Sequence, residues 1–250
     1  MRIIRANQKS DMGRQAAEIF AEQIRAKPNS ILGLATGESP RDLYKALIGM
    51  YEKGELDFSQ IITFNLDEYI GLSPDHDQSY NYYMRNALFD HVNLRPENCF
   101  VPDGMATDLE AECRAYDKRI EECGGIDLQL LGIGVNGHIA FNEPADSFEK
   151  STHVVRLTPS TIGVNSQYFA SPEEMPTSAL TMGINSIFQA KRIVLIASGP
   201  QKAEIVHVAF FGPITPKVPA SILQMHRDVT LVADTDALRI IVEREKVDGQ

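Results

Sequence analysis

The loop Gly132-Ile133-Gly134-Val135-Asn136-Gly137-His138-Ile139-Ala140-Phe141-Asn142-Glu143-Pro144 is the part of this 250-residue chain richest in side chains able to do chemistry. An imidazole gives and takes a proton near neutral pH, and a carboxylate beside it orients the ring and stabilises its charged form. His138 and Glu143 are such a pair, and the glycines let the chain turn tightly enough for Asn136 to join them. Taken literally, Gly132 to Gly137 also satisfies GxGxxG, the dinucleotide fingerprint of a nicotinamide-dependent oxidoreductase. That reading needs a regular helix opening at the loop and an acid about 20 residues on. Pro144 interrupts early, and the apolar run Val154–Leu157 ends without an acid. A metal is poorly supported, because His138 and Glu143 lack HExxH spacing and no cysteine is nearby.

Three further loops carry candidates. Asp67 and Glu68 follow the run 61–65, and either could be a general base near a sugar or carbonyl carbon; spacing does not say which points inward. Thr36-Gly37-Glu38-Ser39-Pro40 precedes a helical stretch beginning Arg41-Asp42-Leu43. Gly37 allows close approach, Ser39 offers a hydroxyl or an ordinary cap, and Pro40 suits the first helical position, so free N–H groups there would meet an anion. Glu38 opposes that anion unless its side chain points away. Lys202, after Ser198-Gly199-Pro200-Gln201, falls in the expected first turn of a helix, where the dipole opposes a cation and a bound anion would relieve the conflict.

These loops must be held by a scaffold, and its period is readable. Short apolar runs at 31–35, 61–65, 128–133, 154–157, 193–197 and 229–233 alternate with helical stretches, the first spaced by Ala16, Ile19, Phe20 and Ile24 with Ser10 as its expected cap. Continuous rather than alternating runs fit parallel strands covered on both faces. The expected fold is therefore α/β, a single domain over 1–250 with a mostly parallel, Rossmann-like central sheet and helices on both faces. Ligands in such sheets bind at the carboxyl ends of strands, where all four loops lie. The stretch 171–176, with its prolines and glutamates, is the most loop-like insertion.

Composition narrows the partners. The formal net charge of −10 and the lack of a Lys/Arg run exclude a nucleic-acid backbone as the expected partner. No apolar stretch approaches membrane-spanning length and no signal-peptide pattern opens the chain, so a cytoplasmic protein without a membrane partner is expected. Cys99, Cys113 and Cys123 form no CxxC pair, which disfavours disulfides and zinc.

In order along the chain, Thr-Gly-x-Ser-Pro at 36–40, Asn65-Leu66-Asp67-Glu68-Tyr69, Leu131 to Pro144 with GHIAFNEP, and Ser198 to Ala203 resemble the glucosamine-6-phosphate deaminases. The related 6-phosphogluconolactonases continue differently after Gly-His. The resemblance implies an α/β domain of the deaminase and ribose-5-phosphate isomerase type, working as a monomer or small homo-oligomer without cofactor or metal. It implies conversion of glucosamine 6-phosphate and water to fructose 6-phosphate and ammonia. His138 would open the sugar ring, assisted by Glu143 and Asn136, and Asp67 would carry a proton between C2 and C1. Thr36, Gly37, Glu38, Ser39, Gly137, Gln167 and Lys202 would bind substrate, with 158–178 as a lid.

Three departures from the family pattern stand out, at four positions. Asn136 stands where many members have Asp. Gln167, with Ile162 upstream, replaces arginines of the lid, which removes a bidentate contact to phosphate. Glu38 replaces a small residue. The departures point to weaker affinity or altered selectivity at C6, with galactosamine 6-phosphate or a poorly phosphate-dependent amino sugar as the alternative substrate. A non-catalytic sugar-phosphate sensor is the remaining class, which the intact Asp67, His138 and Glu143 oppose.

Overall fold

The computed structural model describes residues 1–169, 171 and 174–248. In chain order the elements are β1 (Arg2–Ala6), α1 (Lys9–Ala26), β2 (Ile31–Leu34), α2 (Arg41–Glu52), β3 (Ile62–Asn65), β4 (Asp67–Tyr69), α3 (Tyr80–Ala87), β5 (Cys99–Phe100) and α4 (Leu109–Glu122). They continue with β6 (Leu128–Leu131), β7 (His153–Arg156), α5 (Pro159–Asn165), β8 (Ser178–Thr181), α6 (Ile184–Phe188), β9 (Arg192–Ala197), α7 (Ala203–Phe211), β10 (Val229–Asp234) and α8 (Arg239–Asp248).

Seven strands form a parallel sheet in the order β1-β10-β9-β6-β2-β3-β5. Every residue of β2, β6 and β10 is buried, as both-face coverage by helices requires. From β2 the chain moves outward to β3 and β5, then returns to β6 and runs the other way through β9 and β10. The direction of winding thus reverses between β2 and β6, and the crevice beyond their carboxyl ends is where such sheets bind ligands. The four neighbouring strands β9, β6, β2 and β3 lead directly into the four loops that carry the candidate residues.

Several local expectations need correction. The run 154–157 is not a strand of the main sheet: β7 pairs antiparallel with β8, which pairs antiparallel with β4, in a separate three-stranded sheet. Its burial alternates, with Val154 43% exposed, and so short an apolar run does not report its sheet. β1 has no counterpart among the apolar runs of the sequence; it lies parallel to β10 at the sheet edge. The first helix starts at Lys9 with Gln8 as cap residue, which places Ser10 inside it. Pro40 is the cap position of α2 rather than its first helical residue, and no side chain caps that helix, Ser39 included. The stretch 158–178, expected as a lid, contains α5; its Ala170, Pro172 and Glu173 lie outside the described residues.

Candidate active site

A cavity of about 270 Å³ lies over the crevice, bordered by the loops after β2, β3, β6 and β9. Thr36, Gly37, Glu38, Ser39, Asp67, Asn136, His138 and Lys202 all line it, as do Tyr80, Thr161 and Asn165, which sequence reasoning does not single out. Gly137 and Glu143 sit behind this wall, and Gln167 does not border the cavity.

The catalytic loop shows what its glycines are for. No helix opens after Gly137, so the GxGxxG spacing serves a tight turn and not a dinucleotide. Gly137 takes φ +88°, a conformation that favours glycine. A Cβ on Gly134 would lie 2.3 to 2.5 Å from three ring atoms of His138, so the imidazole rests against bare backbone. Gly134 N–H also donates to the His138 carbonyl (2.9 Å), which closes the turn. Ala140, two residues past the histidine, is held at φ +53°, the kind of backbone strain that clusters at functional sites.

His138 Nδ1 stands 3.5 Å from Glu143 Oε2, an ion-pair separation rather than an aligned hydrogen bond, and has no hydrogen-bond partner among the described residues. Asn136 does not touch the imidazole: its amide donates to Glu143 Oε2 (2.6 Å) and its carbonyl accepts the His138 backbone N–H (3.2 Å). Thr161 donates to the other carboxylate oxygen, and Thr158 reaches the same atom at 3.3 Å. Burial alone would raise Glu143, but the approach of His138 and the donors Thr161 and Asn136 outweigh it and hold its pKa at about 2. Glu143 is therefore a fixed negative charge behind the ring. The threonines carry one readable signal, Thr158 before Pro159 as a helix start, and Thr158 does cap α5 through Thr161 N–H.

The adjacent carboxylates after β3 have separate duties. Glu68 accepts from the backbone N–H groups of Tyr69 (2.8 Å), Tyr80 (2.9 Å) and Asn81 (2.9 Å), tying β4 to the start of α3. Asp67 instead borders the cavity, is 6% exposed, and receives no hydrogen bond from the described residues. Burial, followed by the nearby charge of Glu68, pushes the Asp67 pKa up to about 8. A carboxyl poised there can accept a proton and return it at neutral pH.

Other walls of the same cavity suit an anion. The uncapped first turn of α2 faces it through Gly37 to Ser39. Glu38 does not oppose that anion as an open charge, because Arg41 Nε lies 2.9 Å from its Oε1. Lys202 closes a short 3-10 turn just before α7 and sends Nζ 2.6 Å to the Ile133 carbonyl, so the lysine bridges two site loops. Burial lowers its pKa, and an anion at the site would raise it again. Asp234 holds the loop in place by accepting from Ser198 Oγ (2.5 Å) and Gly199 N–H (3.1 Å).

Among the described residues no group of three or more His, Cys, Asp or Glu could hold a metal ion. No helix among them is long and apolar enough to cross a membrane. An imidazole beside a carboxylate, a buried carboxyl of raised pKa, and a lysine with an uncapped helix start, at the switch point of a parallel sheet, are the equipment of an α/β enzyme acting on a small sugar phosphate. Residues 6–232 match the model of the glucosamine-6-phosphate isomerases/6-phosphogluconolactonase family, and the chain belongs to that family. It is 54% identical over 245 residues to a glucosamine-6-phosphate deaminase of Thermoanaerobacter sp. (strain X514), covering 98% of this chain and 97% of the relative. A glucosamine-6-phosphate deaminase of Lachnoclostridium phytofermentans is 56% identical over 232 residues, 93% of this chain and 98% of the relative. A solved structure described as a monomeric glucosamine-6-phosphate deaminase superposes with a TM-score of 0.93 at 45% identity, covering 96% of this chain and all of that one. The 6-phosphogluconolactonase of Trypanosoma cruzi, at 19% identity and TM-score 0.76 over 95% of this chain and 96% of that one, shares the fold.

Proposed function

We propose that this chain is a glucosamine-6-phosphate deaminase in which His138 opens the ring and Asp67 moves the proton between C2 and C1. The observation that carries the reading is that one small cavity holds both groups, with Asp67 turned into it and free of donors while Glu68 is fully engaged elsewhere. His138 takes the proton of the C1 hydroxyl and delivers it to the ring oxygen, and Glu143, ionised throughout, stabilises the imidazolium in between. Asp67 removes the C2 proton of the open-chain aldehyde while O1 gains a proton equivalent to one lost by the substrate ammonium, giving an enolamine. Asp67 then returns its proton to C1, which leaves a C1 hydroxyl and a C2 iminium. Water adds at C2, the C2–N bond breaks, and ammonia leaves behind the ketose. One water is consumed per ammonia released.

The phosphate rests on Thr36 to Ser39 with Lys202 as counter-charge, and 158–178 serves as the lid. Support for the lid lies in its contacts: Thr158 and Thr161 hold Glu143, and Phe169 sits edge-on to Tyr69 at 5.9 Å. The enzyme is read as cytoplasmic, and as a monomer or small homo-oligomer, in keeping with the monomeric relative.

The test is ammonia release from glucosamine 6-phosphate, galactosamine 6-phosphate and unphosphorylated glucosamine, with Asp67→Asn and His138→Gln beside the parent. The reading expects efficient turnover of glucosamine 6-phosphate, lost in both variants. Full activity in either variant refutes the role of the residue replaced, and a preference for either other sugar refutes the substrate.

A further inference from the structure

A second cavity, about 660 Å³, opens beside the first between α2, α3 and the segment ending at Phe169. Gly37, Glu38, Tyr80 and Asn165 border both, so the two adjoin at these residues, a neck formed partly by the 36–39 loop. Asp67 and His138 border only the inner cavity. A hexose placed with C1 and C2 at those groups and C6 at residues 36–39 therefore points its far end through the neck.

Two independent features describe what the outer space accepts. Its walls combine Tyr82, Tyr83 and Tyr168 with planar polar side chains, Asn86, Gln78 and Arg41. Aromatic faces backed by amides and a guanidinium suit a ring with apolar C–H faces and an equatorial rim of hydroxyls. The inner cavity supplies one lysine and no arginine among its described lining residues; at the neck Arg41 pairs with Glu38, and Lys45 lines the outer cavity alone. One cation balances the single charge of a phosphodiester better than the double charge of a monoester.

We propose that the enzyme deaminates a second substrate class: glucosamine whose C6 phosphate is esterified to a further sugar ring, the extra ring lying in the outer cavity. The inference rests on the deaminase reading above. The chemistry at C1 and C2 is unchanged; water is consumed, ammonia leaves, and the phosphodiester stays intact in the ketose product. The volume is in proportion, since the inner cavity alone is smaller than the usual range of about 300–1,000 Å³ for ligand sites and the outer lies within it.

The experiment compares ammonia release from three compounds: glucosamine 6-phosphate, its methyl phosphodiester, and the phosphodiester joining its C6 to C6 of glucose. Tyr82→Ala and Lys45→Ala accompany the parent; both side chains border only the outer cavity and are partly in solvent, so the fold tolerates their loss. The expected kcat/KM for the glucose diester exceeds that for the methyl diester by roughly tenfold, the scale of one well-placed aromatic contact. Tyr82→Ala removes most of that gain, and both variants leave the monoester within about twofold of the parent. Equal rates for the two diesters with an active monoester overturn the proposal and leave the deaminase reading standing. A gain that survives Tyr82→Ala, or a loss shared by all three compounds, overturns the placement of the ring. No ammonia from any of the three overturns the deaminase reading and the proposal with it.

Discussion

Replacing Glu68 by Gln moves the pH dependence of the reaction if Asp67 is the proton carrier. Burial first, and then the charge of Glu68, push Asp67 up to about 8, and burial pushes Glu68 itself up to about 7, so Glu68 has taken up its charge by the time Asp67 ionises. With that pKa, roughly one Asp67 in eleven is ionised at pH 7, half at pH 8 and nine in ten at pH 9, so kcat/KM rises about tenfold from pH 7 to pH 9. Glu68→Gln deletes only the second cause and shifts the limb toward acid, with the larger burial contribution left in place. The substitution also costs a bond in the cap of α3, since a Gln carbonyl serves Tyr69 and Tyr80 but its amide faces the Asn81 N–H. That loss lowers stability by roughly 1–3 kcal/mol without moving the limb. The assay is initial ammonia release at substrate well below KM across pH 6 to 9.5. The amine of the substrate titrates too, but its contribution is the same for both proteins, so the displacement between the two curves isolates the carboxyl. A limb at the same pH in parent and variant refutes the assignment of Asp67 as the titrating group.

Asp67→Asn should abolish turnover yet stabilise the fold in alkali. A carboxyl with a folded pKa near 8 and an ordinary unfolded one loses stability as pH rises between those values, so the melting temperature of the amide should gain on that of the parent from about pH 4 to pH 8 and the gap should level off above it, the whole shift corresponding to on the order of 5 kcal/mol. Glu143→Gln should lower kcat by about 10²- to 10⁴-fold, the range for a disabled acid/base pair. Because Glu143 is depressed to about 2, its stabilising effect is present above pH 4.5 and disappears as pH falls toward 2; melting curves of parent and variant should converge there. Gly134→Ala should leave the circular dichroism spectrum native but displace the His138 ring, which a Cβ would meet at 2.3 Å, and cut kcat by roughly 10²-fold or more; unchanged kcat would show that the ring does not rest against Gly134.

The four loops are legible in the sequence because each follows a buried apolar run, and a parallel sheet brings strand ends together whatever its order. The choice between Asp67 and Glu68 is not legible, and the reason is non-local. β4 owes its direction to antiparallel pairing with β8, in which Glu68 faces Leu180, more than a hundred residues away along the chain. The same small sheet explains why the run 154–157 misleads: its existence depends on three short segments none of which announces its partner. The role of Asn136 is half legible. Its place beside His138 and Glu143 is clear from spacing, but that it fixes the carboxylate and the backbone rather than the ring follows only from the folded loop. Glu38 reads as an obstacle in the sequence because its Arg41 partner, one helical turn away, looks like an ordinary surface residue.

If the site holds the proposed phosphate, the net charge of −10 sets the terms of that binding. The long-range field is repulsive, so affinity must come from short-range donors that the surrounding charge does not screen. The first turn of α2 supplies N–H groups with no competing side-chain cap. Lys202 supplies the cation, and its contact with the Ile133 carbonyl does not exhaust it, because an ammonium has three donors and that contact uses one. The two that remain can reach a phosphate while the first keeps the 198–202 loop attached to the loop of His138. Phosphate binding and placement of the ring-opening histidine thus meet at one side chain. The proposed roles therefore predict that a phosphorylated sugar gains over a free one in kcat as well as in KM, because anchoring the anion would also steady the backbone against which the imidazole rests; a gain in KM alone, measured on glucosamine 6-phosphate and glucosamine, refutes the coupling.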